Sequence, residues 1–120
     1  MREDMLISIL NELNGSTADI QGSAVISIDG LLIASALPTS YDEEMVSAMS
    51  AAMLLLGERT SNELKRGELE QVIVKGRLGY VIMVSAGKDS VLCVLARPDA
   101  KLGLVMLDAT RAAEDIPKVL

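Results

Sequence analysis

The sequence predicts an α+β domain in which helices sandwich a five-stranded antiparallel sheet, in the order α-ββ-α-βββ-α. Three observations predict it. Apolar residues recur at helical spacing in three segments, β-rich runs fall into two groups with short turns inside each group, and the last two runs are apolar on both faces. Short turns imply antiparallel neighbours, so the middle helix must carry the crossover between the groups.

The elements follow in order. Met5, Leu6, Ile9, Leu10 and Leu13 share one helical face, and Asn14-Gly15 stops that first helix. After a polar loop, the runs 24–28 and 31–34 flank Asp29-Gly30, which predicts a two-residue hairpin with positive φ at both turn positions. Pro38 closes it. Ser40-Tyr41-Asp42-Glu43 has the spacing of a capping box, and Asp42, Glu43 and Glu44 suit the positive end of a helix dipole. The second helix is expected over 41–66, with Gly67 as its stop. Strands are expected over 70–75, 80–86 and 90–96, joined by turns at 76–79 and 87–89.

In the last two strands Tyr80, Ile82 and Val84 alternate with Val81 and Met83, and Val91, Cys93 and Leu95 alternate with Leu92 and Val94. A sheet wetted on one side would show polar alternation, so these strands should be central and covered on both faces. Pro98-Asp99 opens a final helix with Leu102, Val105, Met106, Ala109, Ala113 and Ile116 on its stripe, and Pro117 ends it. No linker or internal repeat interrupts the 120 residues, so 1–120 reads as a single domain.

Composition removes whole classes of function. The chain has no His, one Cys and a formal net charge of -6. The lack of histidine excludes His-based acid–base chemistry, Ser-His and Cys-His nucleophile pairs, and most zinc sites. Acidity argues against nucleic acid or an anionic membrane surface as the main partner. No apolar run approaches the about 20 residues a bilayer span requires. Met1-Arg2-Glu3-Asp4 places acids where a secretory signal carries cations, which predicts a cytoplasmic protein. Yet mean hydropathy is high, at +0.37.

The middle helix holds the excess. Met45, Val46, Ala48, Met49, Ala51, Ala52, Met53, Leu54, Leu55 and Leu56 run nearly all the way round it, where a helix lying on one sheet needs a stripe a little over about 100° wide. Met45, Met49, Met53 and Leu56 follow i, i+4, i+8 and i+11 spacing, and Ala48 and Ala52 leave room for a second backbone. Either another part of the chain covers this face, or a second copy does. The other two helices are needed on the opposite sheet face, so the expected partner is a second copy, with Met45, Met49, Ala52, Met53 and Leu56 at the seam.

These features together resemble the Roadblock/LC7 family. Ile28-Asp29-Gly30-Leu31-Leu32-Ile33-Ala34, the Met/Ala helix, Glu70-Gln71-Val72-Ile73-Val74-Lys75-Gly76 and Leu102-Gly103-Leu104-Val105 carry the likeness, with Gly79-Tyr80 and Val91-Leu92 fitting the same pattern. A single domain without extensions is most similar to the MglB-like prokaryotic group. The resemblance implies a homodimer through the central helix and the strand after it, which adds Val72 and Val74 to the interface. It further implies a Ras-like small GTPase as partner, with the chain as regulator or adaptor; the alternative is a purely structural scaffold or motor light-chain-type adaptor.

Few residues are left for chemistry. Gly87-Lys88-Asp89-Ser90 echoes a phosphate loop but has Asp89 where Ser or Thr must follow the lysine, and Ile82 where the first glycine belongs. A hairpin turn accounts for it. Gly76-Arg77-Leu78-Gly79 is too short for a dinucleotide fingerprint. Cys93, mid-strand among apolar neighbours, reads as a small core residue. No cofactor or metal is expected, and the chain reads as a non-enzyme. The one catalytic role left is an arginine finger acting on a bound GTPase, for which Arg59, Arg66 and Arg77 are the candidates; each also reads as a solvated charge, with Glu63 in reach of Arg59. Gly57 is expected at a close approach within the dimer, and Gly103 at one against the sheet.

Overall fold

The computed structural model describes residues 2–120, so Met1 lies outside the described residues. In order, the elements are α1 (Arg2–Ser16), β1 (Ile20–Ser27), β2 (Leu32–Ala36), α2 (Glu43–Glu63), β3 (Gln71–Gly76), β4 (Gly79–Ser85), β5 (Ser90–Ala96), α3 (Leu102–Asp115) and a 3-10 turn over Ile116–Lys118. This is the expected order. The strands form one sheet, β2-β1-β5-β4-β3, antiparallel throughout.

Strand position follows from composition. Every residue of β5 is buried, which suits the middle of the sheet. One face of the sheet carries α1 and α3: Leu6, Leu10 and Leu13 meet Val105, Ala109 and Ala113 over Val25, Ile82, Leu92 and Val94. The other face carries α2, where Leu54 packs with Ala24, Ile26, Met83, Val91 and Cys93. A polar clasp ties the end of α1 to the sheet. Asn14 Nδ2 donates to the Ala36 carbonyl at 2.9 Å, and the Ser23 hydroxyl donates to Asn14 Oδ1 at 2.7 Å.

Local details correct several expectations. β1 begins at Ile20 rather than Ala24. Polar Gln21-Gly22-Ser23 resembles a loop, but Gly22 is required inside the strand, since a Cβ there would stand 2.7 Å from Pro38 Cδ. The β1–β2 connection is longer than a two-residue turn: Ile26 pairs with Leu32, the Ser27 hydroxyl accepts the Leu31 N–H, and Gly30 has φ +88° while Asp29 keeps a negative φ. Met5 is exposed rather than on the buried face of α1.

The start of α2 is capped by Asp42, whose Oδ1 accepts from the Glu44 and Met45 N–H groups, so the Ser40 capping box does not form. α2 ends at Glu63, earlier than expected. Lys65, not Gly67, takes the first left-handed position at φ 57°, and the Lys65 and Arg66 N–H groups close back onto the Asn62 and Ser61 carbonyls. α3 opens at Leu102 behind Lys101, whose N–H is accepted by Asp19 from the α1–β1 turn, while Pro98-Asp99 stays in the preceding turn. Gly103 is exposed, and a Cβ there would meet nothing within 4 Å, so it marks no close approach.

Candidate functional site

The face α2 turns to the sheet is unexpectedly polar. Ser47, Ser50 and Leu54 are its buried residues. Hydroxyls this deep need partners, and the Ser47 hydroxyl donates to the Glu43 carbonyl at 2.9 Å. The small serines bring the helix close to the sheet and leave its bulk outside. Met45, Met49, Leu55 and Leu56 are each exposed, at 60%, 59%, 70% and 65%. Ala48 and Ala52 lie exposed between them. Only Leu54, with the half-buried Val46 and Met53, packs on the sheet, while Met45, Met49, Leu55 and Leu56 stay outside.

The neighbouring sheet edge continues this surface. β3 is an edge strand, with Val72 half-buried and Ile73 and Val74 exposed. Gly57 faces it: a Cβ on Gly57 would stand 2.9 Å from Val72 Cγ2 and 3.2 Å from Leu69 Cδ2. The close approach expected of Gly57 between copies is thus made within the chain. A groove of about 550 Å³ runs between helix and strand, lined by Met53, Leu56, Gly57, Leu69, Val72 and Val74.

The two sheet edges differ in how they are finished. β2 is short, pairs across an irregularity between Val25 and Ile26, and is followed by Pro38, all of which discourage further pairing. β3 pairs regularly with β4 over its whole length and holds a single charge, Lys75, whose ammonium lies 5.7 Å over the Tyr80 ring. The edge beside the apolar helix is the one left flat.

Of the residues singled out from sequence, Met53, Leu56, Val72 and Val74 converge on the groove, while Met45, Met49 and Ala52 continue the same outer surface toward the start of α2. Sequence reasoning missed Leu55 and Ile73; the spacing rule that selected the methionine stripe passed over both, and an apolar residue at an edge strand was the available signal. The arginines do not form one site. Arg59 pairs with Glu63 at 3.2 Å, both side chains largely exposed. Arg66 borders the groove and donates to the Leu64 carbonyl. Arg77 stands apart on the β3–β4 turn, beside the 86% exposed Leu78.

Other candidate chemistry resolves into structure. Gly87, at φ +88°, turns the chain between β4 and β5, where the Ser90 hydroxyl donates to the Ala86 carbonyl. Cys93 is fully buried, and desolvation raises its thiol pKa, with a hydrogen bond to Ser50 as a smaller opposing effect. Among the described residues, no group of three or more His, Cys, Asp or Glu side chains is placed to hold a metal ion. Nor is any helix among them long and apolar enough to cross a membrane.

A sheet with two helices on one face and a single outward-facing apolar helix on the other defines the class, and sequence comparison agrees. The chain belongs to the Roadblock/LC7 domain family, whose pattern matches residues 7–96. The uncharacterized protein MJ1340 of Methanocaldococcus jannaschii is 45% identical over 112 residues, covering 93% of this chain and 96% of that protein. Among solved structures, Myxococcus xanthus MglB superimposes with a TM-score of 0.88 at 19% identity, over 97% of this chain and 87% of its own. A Roadblock/LC7 domain from Streptomyces avermitilis gives 0.85 at 18% identity, over 92% and 93%. The fold is MglB-like.

Proposed function

We propose that this chain works as a homodimer that binds and regulates a Ras-like small GTPase, by contact rather than by covalent chemistry of its own. The observation that carries the reading is the outward apolar face of α2 running into the flat β3 edge. Surfaces of this kind mark interfaces, and an unbulged edge strand is a template for pairing. Met45, Met49, Ala52, Met53, Leu56, Val72 and Val74 form the proposed seam. Membership of the Roadblock/LC7 family supports a GTPase as the further partner.

Size-exclusion chromatography with light scattering tests the dimer, and a monomer at micromolar concentration overturns it. The partner is tested by affinity capture with GTP and GDP analogues compared, followed by GTP hydrolysis with and without this protein. A change in turnover supports regulation. Binding with unchanged turnover supports the second reading, a structural adaptor. One observation favours that second reading: Arg59 and Arg66, two of the three finger candidates, are already engaged within their own helix and its end.

A further inference from the structure

α2 has a second apolar flank, which the proposed seam does not use. Successive residues of a helix are turned by about 100°, so three neighbours can face three ways. Met53 lines the groove against β3 and Leu54 is buried on the sheet, so Leu55 faces away from β3, toward the β1–β2 side. It is 70% exposed there. The β1–β2 connection comes up beside it. A Cβ on Gly30 would stand 3.1 Å from Ala51 Cβ, one helical turn before Leu55. Ile28, 44% exposed, borders a small cavity with Leu54 and Glu58, and Leu31 in the same connection is 68% exposed.

The flank is framed by charge of one sign. Glu44, Ala48, Ala51, Leu55 and Glu58 follow i, i+4, i+7, i+11 and i+14 spacing, one stripe with apolar residues in its middle and a carboxylate at each end. Asp29 adds a third acid beside Gly30. Asp89 adds a fourth, since its carbonyl accepts the Ile28 N–H at 3.1 Å. Among the described residues none of these four acids makes an ion pair. Lys88, of the β4–β5 turn, stands against them, while Arg59 on the next face of the helix is already paired with Glu63.

An apolar strip between carboxylates calls for a partner with the inverse pattern. Nucleic acid and anionic membranes are repelled by it, and a second copy would bring like charges face to face. A helix with an apolar stripe and flanking Lys or Arg fits. Its stripe would lie along Ala48, Ala51 and Leu55 with its cations reaching Glu44 and Glu58, which are about 21 Å apart along the axis. We propose that this flank of α2 docks a basic amphipathic helix, about four turns long, from a partner protein. The surface is open in the free chain and in the proposed homodimer alike.

A synthetic helical peptide of about 18 residues, with leucines on one stripe and lysines elsewhere, is the probe. Its controls are a scrambled peptide of the same composition without a stripe, and a glutamate-for-lysine version. By fluorescence anisotropy the striped basic peptide should bind at least about tenfold more tightly than either control. Leu55→Ser should weaken it about tenfold or more. Glu44→Gln with Glu58→Gln should weaken it and flatten its salt dependence. Leu107→Ser, at a 48% exposed position on the other sheet face, should leave it unchanged. Equal binding of the scrambled peptide, or an equal loss in Leu107→Ser, overturns the docking surface. Loss of the dimer in Leu55→Ser, read by light scattering, assigns the flank to self-association and overturns it too. A monomeric parent that still binds the peptide through Leu55 overturns the homodimer and supports this surface.

Discussion

Gly57 of α2 and Val72 of β3 are in such close contact that a Cβ on the glycine would stand 2.9 Å from a valine methyl. Glycine inside a helix costs about 1 kcal/mol relative to alanine, so removing it should help the helix. The contact opposes that gain. Valine is stiff at χ1 and Leu69 crowds the same point at 3.2 Å, so β3 has to move away from α2. Overpacking of this kind costs about 1–3 kcal/mol. Gly57→Ala is therefore expected to lower stability by about 1 kcal/mol net and to weaken self-association, read by urea unfolding and light scattering. A more stable variant with unchanged association would show that the valine yields freely.

Met49 stands 59% exposed on the outer face of α2, so a charge there costs the isolated chain little. In the proposed dimer it would enter an apolar seam. Met49→Glu should keep the helical circular dichroism of the parent yet raise the dimer Kd by a hundredfold or more, from a penalty of roughly 3 kcal/mol for an unpaired charge out of water. Retention of a tight dimer would move the interface away from this face.

Asp42 and Ser40 offer a paired test of the α2 start. Asp42 accepts two backbone N–H groups, and Asp42→Ala should cost about 1 kcal/mol in thermal or urea unfolding. Ser40→Ala should be neutral, since the cap lies two residues later. Equal losses would show that both residues share the capping.

Cys93 predicts a pH dependence. Its pKa is raised in the folded protein, chiefly by burial, so the folded state holds the thiol proton more tightly than the unfolded chain. That contribution is fully present below the ordinary thiol value of about 8.5 and is lost as pH rises through it toward the folded value. The stability advantage of the parent over Cys93→Ala should shrink between pH 7 and pH 10. Using the difference cancels tyrosine and lysine titration. A constant gap would mean that the thiol ionises as readily folded as unfolded.

Element order, the central place of β4 and β5 and the spare apolar face of α2 were legible because each follows from the period and width of an apolar stripe. The misreadings cluster where small residues carry the structure. Gly22 and Ser23 read as loop because neither shows a strand side chain, yet the strand needs the glycine for room beside Pro38 and the serine for the Asn14 clasp. Lys65 at a left-handed helix end gives no local signal, because Gly67 nearby is the residue that ordinarily takes that place. Ile73 was passed over because the helical spacing that selected the methionine stripe does not extend to β3, although an exposed apolar residue on an edge strand was there to be read.

Ser47 and Ser50 beneath α2 carry one more implication. Leucines in their place would add apolar anchorage to the sheet; Ser47 instead bonds back to the Glu43 carbonyl of its own helix, and Ser50 reaches Cys93 of β5. Leu54, with the half-buried Val46 and Met53, is what remains of the apolar anchorage of α2 on its sheet. In the proposed dimer the covered outer face would add to this anchorage, and dilution would then act much as a core mutation does in other proteins. As copies separate, α2 is expected to be the first element whose amides exchange with solvent, while the α1–α3 side of the sheet stays closed.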